Sequence, residues 1–147
     1  MNILIVSPGK KHSPEMAVMI GEYEKRLRGR FDLSWRFISA GDKKDESMTI
    51  LKSIVDGDLV ILLDENGIAQ TSVQFSQTLS KAVTDGAKRI VFVVGGAYGV
   101  TDSVRLRAQK IVSLSAMTLP HAIVRLFLVE QIYRAAEIIR GGKYHHA

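Results

Sequence analysis

The sequence predicts an α/β fold, with a mostly parallel sheet covered by helices on both faces. Short apolar runs alternate with longer amphipathic or basic segments, which is the pattern of repeated strand and helix units. Most of the apolar runs show little polar alternation, as expected of strands buried on both faces. The length of 147 residues predicts a single domain, 1–147, and a chain of this size buries about two-thirds of its unfolded surface.

Five segments are predicted to be strands. Four are runs rich in valine, isoleucine and leucine that are followed by turn-forming or small residues. The other alternates, with Leu33, Trp35 and Phe37 on one side, and this spacing indicates a half-buried strand. The third strand is expected to leave the sheet at Asp64. The predicted strands are 2–6, 31–39, 59–63, 88–96 and 111–116.

Five intervening segments are predicted to be helices. Ser13 is suited to cap the first of them and Pro14 to occupy its first position. In the third, Val73, Leu79 and Val83 are expected to face the core. The predicted helices fall within 13–29, 41–58, 71–87, 101–110 and 119–142.

Composition excludes several classes of function. The chain has no cysteine, which excludes disulfides, thiolate metal sites and a cysteine nucleophile. Its four histidines show no metal-binding spacing, so we expect no metal. No apolar run approaches the ~20 residues that span a bilayer. We therefore expect a cytoplasmic protein that makes no membrane contact.

A formal charge of +5 favours anionic partners, among which nucleic acid is the commonest, although a mildly basic surface with no such partner explains it equally well. Basic residues concentrate in four short clusters. Each cluster is a candidate for contacts with RNA phosphates or a merely solvated face. The clusters are Lys10-Lys11-His12, Lys25-Arg26-Arg28-Arg30, Lys43-Lys44 and Arg105-Arg107-Lys110.

Three of the predicted strands end in turns made of glycine, small or acidic residues. These turns are 64–67, 95–99 and 113–118. In a parallel α/β sheet, ligands bind outside the carboxyl ends of the strands. A site built from main-chain groups and small side chains at those ends suits an adenine ring, whose edge carries both donors and acceptors.

The glycine turn "GGAYG" does not match the motifs that bind nucleotide phosphates. The dinucleotide fingerprint needs G-x-G-x-x-G after the first strand and an acidic residue about 20 positions later. Here Gly95, Gly96 and Gly99 follow a late strand, and Met117 to Leu119 stand where the acid is required. The sequence also lacks G-K-[ST]. A nucleotide-dependent oxidoreductase is therefore disfavoured, whereas a simple chain reversal at the glycines remains an alternative.

Three segments in this order, "GGAYG", "VSLSAMTLPHAIVRLFLVEQIYRA" and "RGGKYHH", are similar to the ribosomal RNA large-subunit methyltransferase H family of SPOUT enzymes. The likeness extends over nearly the whole chain, including "ILIVSPGK" and "LLDENG". It implies a SPOUT-type trefoil knot in the C-terminal half, a homodimer, and S-adenosylmethionine as methyl donor. The implied reaction is methylation of N3 of a pseudouridine in large-subunit ribosomal RNA.

The resemblance also implies which residues form the site. Tyr144 and His145 match the family's C-terminal Tyr-His pair, with His145 as a proton acceptor and Tyr144 orienting or stacking on the base. Alternatively, the pair only shapes the site or binds RNA backbone. Independently of the resemblance, Arg125 in the last helix is a candidate for binding phosphate or a uracil carbonyl because it is expected one turn from the proposed site; the alternative is a solvated residue. The donor contacts are expected at Leu63, Gly95, Gly99, Leu114, Ser115, Ala116, Met117, Thr118 and Leu119.

The sequence departs from the family outside these motifs. The segment between Ala40 and Asp58 is shorter than is usual, and Lys143 stands where a proline is common. These departures bear on docking to the ribosome more than on methyl transfer. Two alternatives remain: a SPOUT methyltransferase of another RNA site, such as one in transfer RNA, and a non-catalytic RNA-binding knot protein.

Overall fold

The computed structural model describes residues 1–146, in which five strands alternate with five helices. Each predicted strand and helix has a counterpart, and the α/β prediction is confirmed. The elements are β1 (Asn2–Pro8), α1 (Pro14–Leu27), β2 (Asp32–Ile38), α2 (Lys43–Lys52), β3 (Asp58–Ala69), α3 (Ser72–Thr84), β4 (Arg89–Val94), α4 (Asp102–Arg107), β5 (Lys110–Ser113) and α5 (His121–Ile139).

The strands form one parallel sheet in the order β2-β1-β4-β3-β5. The inner strands β1, β4 and β3 are buried on both faces over their apolar stretches, which explains their lack of alternation. β2 lies at an edge and keeps the predicted alternation, with Leu33, Trp35 and Phe37 half-buried between exposed residues. The carboxyl ends of β3, β4 and β5 therefore meet at one edge of the sheet.

Helices cover both faces of the sheet. α5 packs between α1 and α3 on one face, whereas α2 and α4 pack together on the other. Alternate strand residues supply the two cores, so Ile3 and Ile5 point to the first face and Leu4 and Val6 to the second. No helix within residues 1–146 is both long and apolar enough to cross a membrane.

The buried face of α3 is not the predicted one. Leu79 is fully buried, but the side chains of Val73 and Val83 are 38% and 47% exposed. Phe75 points inward instead and packs against Phe92 of β4, with ring centroids 6.0 Å apart. The helix is therefore rotated so that its aromatic ring is buried, and the two valines remain near solvent.

β3 continues beyond Asp64, where the prediction ends it. The chain is irregular between Leu63 and Ile68 and then pairs with β5 again as far as Ala69. Gly67 permits this second pairing. A Cβ atom there would lie 2.8 Å from the carbonyl carbon and oxygen of Ile111 in β5, which are main-chain atoms that cannot rotate aside.

Replacing Gly67 with alanine is expected to lower the free energy of unfolding by about 1–3 kcal/mol, because the added methyl group overpacks two main chains. Unfolding in denaturant measures this change. Gly21→Ala in α1 is the matched control, since a Cβ there has nothing within 4 Å. The control is expected to raise stability by up to about 1 kcal/mol. Equal stability of Gly67→Ala and the wild type would refute the close approach.

Candidate functional site

A cleft opens at the carboxyl edge of the sheet, where β3, β4 and β5 end. Its volume is about 490 Å³, within the range of about 300–1,000 Å³ typical of small-molecule sites. All three turns singled out in the sequence contribute to its wall. Of the residues expected to contact the methyl donor, Ala116 does not line the cleft, and it is exposed. Those that line the cleft are Leu63, Gly95, Gly99, Leu114, Ser115, Met117, Thr118 and Leu119.

The turn after β4 presents main-chain atoms to the cleft. The Gly99 amide donates to the Gly96 carbonyl at 3.0 Å, and Gly99 has a φ of +77°, which glycine adopts without strain. A Cβ atom on Gly95 would lie 3.8 Å from Val100 Cγ1 and 3.9 Å from the Leu63 carbonyl oxygen. These are ordinary contacts, so a methyl group fits at Gly95 but a longer side chain needs the space of the cleft.

Two buried residues of α2 hold the glycine turn from behind. Ser47 Oγ accepts a hydrogen bond from the Thr101 amide at 3.0 Å. One carboxylate oxygen of Glu46 occupies the space that a Cβ atom on Gly96 would need. The other oxygen accepts from the Gly41 amide at 3.2 Å. α2 therefore supports the turn from the side opposite the cleft.

β5 ends at Ser113 rather than at residue 116 because serine side chains turn the chain. Ser113 Oγ donates to the Ser115 carbonyl at 2.9 Å, and Ser115 Oγ accepts from the Met117 amide, also at 2.9 Å. Such local bonds compete with strand pairing and leave the main chain of 114–119 at the cleft. Thr118 Oγ1 donates to the Glu65 carboxylate at 3.1 Å, which ties this loop to the turn after β3.

Asp64, Glu65 and Arg105 also line the cleft, although the sequence does not mark them as one site. Arg105, which the sequence places in a basic cluster, forms an ion pair with Asp64. Burial opposes ionisation of Asp64, but hydrogen bonds from the Asn66 amide and Arg105 outweigh it and lower the pKa of this carboxyl group. Asp64 and Arg105 are 41 residues apart, so no spacing rule predicts their contact.

Arg125 does not line the cleft. Its guanidinium is buried and donates to Ser7 Oγ at 2.8 Å, to the Pro8 carbonyl at 2.7 Å and to the Lys10 carbonyl at 2.9 Å. It also lies over the Phe37 ring, 4.8 Å from the centroid. Burial lowers the pKa of Arg125 from its ordinary value. The sequence could not separate this structural role from substrate binding, because the partners lie far away in the chain.

The C-terminal Tyr-His pair packs against α5. The Tyr144 hydroxyl donates to the Glu130 carboxylate at 3.0 Å, and Arg134 donates to the same carboxylate. Burial, together with hydrogen bonds involving Tyr23 and Glu130, raises the pKa of Tyr144 well above its ordinary value. Tyr144 therefore keeps its proton at neutral pH.

The contact between Arg134 and His145 determines which ring nitrogen of the histidine carries hydrogen. Arg134 Nη1 lies 3.2 Å from His145 Nδ1. Because a guanidinium only donates, Nδ1 is the acceptor, and the neutral ring carries its hydrogen on Nε2. In this arrangement His145 offers a donor at Nε2 and has no free basic nitrogen.

The cleft and the C-terminal Tyr-His pair both border α5, but at different positions along the helix. Val124 of α5 lines the cleft, whereas Glu130, which anchors Tyr144, is further along the helix. With a rise of 1.5 Å per residue, Val124 and Glu130 lie roughly 9 Å apart along the helix axis. Tyr144 and His145 are therefore not part of the cleft wall of their own chain.

The fold and the cleft together define an α/β protein with a cleft at the carboxyl edge of a parallel sheet, where ligands bind in such folds, and with turns that lack a phosphate-binding motif. A family model described as a predicted SPOUT methyltransferase matches residues 1–145, and the chain belongs to this family. Membership implies the knotted fold expected from the motifs.

Curated relatives with matching length share the name Ribosomal RNA large subunit methyltransferase H. The chain is 40% identical to the protein of Flavobacterium johnsoniae over an alignment of 156 positions, gaps included. It is 38% identical to that of Parabacteroides distasonis over 156 positions and 39% identical to that of Geobacter sp. strain M21 over 155. Each alignment covers 99% of this chain and 99% of the relative.

Proposed function

We propose that this methyltransferase uses S-adenosylmethionine to methylate N3 of a pseudouridine in large-subunit ribosomal RNA. The names of the relatives support the choice of RNA. The observation that carries the proposal is the cleft, whose wall contains most of the residues that the family motifs assign to the donor. In this proposal the single domain 1–147 binds both the donor and the RNA.

The residues of the cleft fit S-adenosylmethionine. Main-chain groups at Leu63, at Gly95 and along 114–119 supply donors and acceptors for an adenine edge. The donor carries no phosphate, so the lack of a lysine clamp is no obstacle. Glu65 adds a carboxylate to the wall, which suits a cationic ligand. When bound, the donor supplies a methyl group already activated on sulfur, so the protein mainly positions the two reactants.

In this proposal His145 acts on the acceptor base as a hydrogen-bond donor. N3 loses its proton to solvent as the methyl group arrives from sulfur, and negative charge develops on the two carbonyl oxygens that flank N3. A donor aimed at such an oxygen stabilises that charge. His145 can donate from Nε2 while Arg134 holds Nδ1, and it could accept the N3 proton only by releasing Arg134. Tyr144, which stays protonated, would orient the base or stack on it.

A homodimer would bring the tail of one copy to the cleft of the other. Along the same stretch of α5, Ile123 beside the cleft and Phe127 between the cleft and the tail are exposed, with 40% and 37% of their surface accessible. A two-fold symmetric contact is self-complementary. Antiparallel packing of α5 on its symmetry mate, centred on Phe127, would set Val124 of one copy opposite Glu130 of the other.

Methyl transfer to defined RNA preparations tests the proposal. The protein is incubated with labelled S-adenosylmethionine and with ribosomes, large subunits, naked ribosomal RNA or transfer RNA from a strain lacking the enzyme. Nuclease digestion and mass spectrometry then locate the label. The expected result is one methylated pseudouridine in large-subunit RNA prepared from the cytoplasm. Label on transfer RNA alone would reject the proposed substrate, and donor binding without any transfer would indicate a non-catalytic RNA-binding protein.

A further inference from the structure

The parallel sheet sorts the basic clusters onto two opposite edges. Loops that follow strands share the carboxyl edge with the cleft, and segments that precede strands lie at the amino edge. The seven residues of β1 separate the edges by about 20 Å. The carboxyl edge carries Lys10-Lys11-His12 after β1 and Lys43-Lys44 after β2, whereas the amino edge carries Lys25-Arg26-Arg28-Arg30 before β2 and Arg107 and Lys110 around the start of β5.

The Lys10-Lys11 loop emerges beside the glycine turn. β1 and β4 are neighbouring strands, with Val6 opposite Val93, so the loops that follow them begin about 5 Å apart. Both lysines are exposed, and neither ammonium group forms an ion pair with any residue in 1–146. An RNA strand whose base enters the cleft therefore passes its backbone close to two free positive charges.

The loop is held rigidly although its lysine side chains are free. The Gly9 amide donates to the Ile38 carbonyl of β2 at 2.9 Å. Arg125 binds the Lys10 carbonyl, as described above. The His12 ring packs edge-on against Trp35, with 4.4 Å between centroids. Two main-chain hydrogen bonds and one side-chain packing contact hold the loop, which reduces the entropy lost when the lysines meet a ligand.

The other clusters are less suited to bind the backbone of a substrate. Lys43 and Lys44 lie between Asp42 and Asp45, which offset their charge. At the amino edge, Arg30 is paired with Glu137 within the fold and Lys25 lies 3.8 Å from Glu22. His12 adds little charge to its own loop at neutral pH, because burial and the nearby Arg125 lower its pKa. Within residues 1–146, Lys10 and Lys11 are thus an exposed basic pair without an ion-pair partner, on the loop that follows the strand next to β4.

We propose that Lys10 and Lys11 form the surface that docks the phosphate backbone of the substrate RNA, with Arg125 as the positioning residue that fixes their loop. This inference rests on the proposed RNA methyltransferase function. It assigns docking to one of the four basic clusters.

The test compares two variants that each remove two exposed positive charges. Lys10→Gln/Lys11→Gln changes the carboxyl edge, and Lys25→Gln/Arg28→Gln is the control at the amino edge. The probe is large ribosomal subunits from a strain lacking the enzyme, bound at several salt concentrations. We expect the first variant to bind roughly 10- to 100-fold more weakly at 0.1 M salt, with a log–log salt slope shallower by about 1.4–1.8. The control is expected to bind like the wild type.

Calorimetric titration with S-adenosylmethionine accompanies each variant and is expected to give unchanged affinity, because neither pair lines the cleft. If Lys10→Gln/Lys11→Gln binds subunits as the wild type does, or if only the amino-edge variant weakens, the docking assignment is overturned while the proposed function stands. If the wild type neither binds nor methylates the subunits, the proposed substrate and the docking assignment fall together.

Discussion

Replacing Gly95 with leucine is expected to weaken binding of S-adenosylmethionine at least about 100-fold, or roughly 2.8 kcal/mol. Gly95 lines the cleft, and a Cβ atom there already contacts Val100 and the Leu63 carbonyl at ordinary distances. A leucine side chain must therefore extend into the part of the cleft that the methyl donor would occupy. Calorimetric titration of donor into the purified protein measures the loss.

Gly95→Ala is the matched control for this prediction. Its methyl group fits the contacts at 3.8 and 3.9 Å, and Gly95 does not have a positive φ. We expect near-normal thermal stability for both variants and near-normal donor affinity for alanine. Full affinity in a folded Gly95→Leu protein would mean that the donor binds somewhere other than this cleft.

Replacing His145 with alanine is expected to lower kcat for RNA methylation about 100- to 1,000-fold, the usual cost of removing a donor that stabilises developing negative charge. His145→Gln is expected to lose much less. The glutamine side-chain amide places an N–H near the position of Nε2, which is the donor nitrogen of the native ring because Arg134 donates to Nδ1. Single-turnover rates with large subunits measure the two losses.

Glutamine cannot accept a proton from N3, which makes the pair of variants decisive about the role of His145. Equal inactivity of His145→Gln and His145→Ala would identify His145 as the general base and overturn the donor role. The thermal unfolding temperature of each variant serves as the check on folding, and it is expected to match that of the wild type.

Local patterns predicted the fold and the position of the cleft well. The apolar runs without alternation identify the buried parallel strands, and the alternation of Leu33, Trp35 and Phe37 identifies an edge strand. In a parallel sheet, strands identified from local patterns also locate their carboxyl ends, so the three turns had to lie at one edge. The knot follows only from family membership, because hydrophobic pattern does not record how a chain is threaded.

Side-chain partners across the fold could not be predicted in the same way. Arg125 looks like a surface residue of a helix, yet its partner Ser7 is 118 positions away. Arg105 reads as part of a basic cluster, but it is paired with Asp64 in the cleft wall. The tautomer of His145 depends on its contact with Arg134, which lies 11 positions earlier in the chain. Each of these contacts forms only after the elements pack.

A crystal structure of the protein grown with saturating S-adenosylmethionine would locate the bound methyl donor. We expect its density at the carboxyl edge of the sheet, enclosed by main-chain atoms of Leu63, Gly95 and 114–119, close to Glu65. Donor density at any other place on the protein, or an empty cleft in crystals grown under conditions where the protein binds donor in solution, would contradict it.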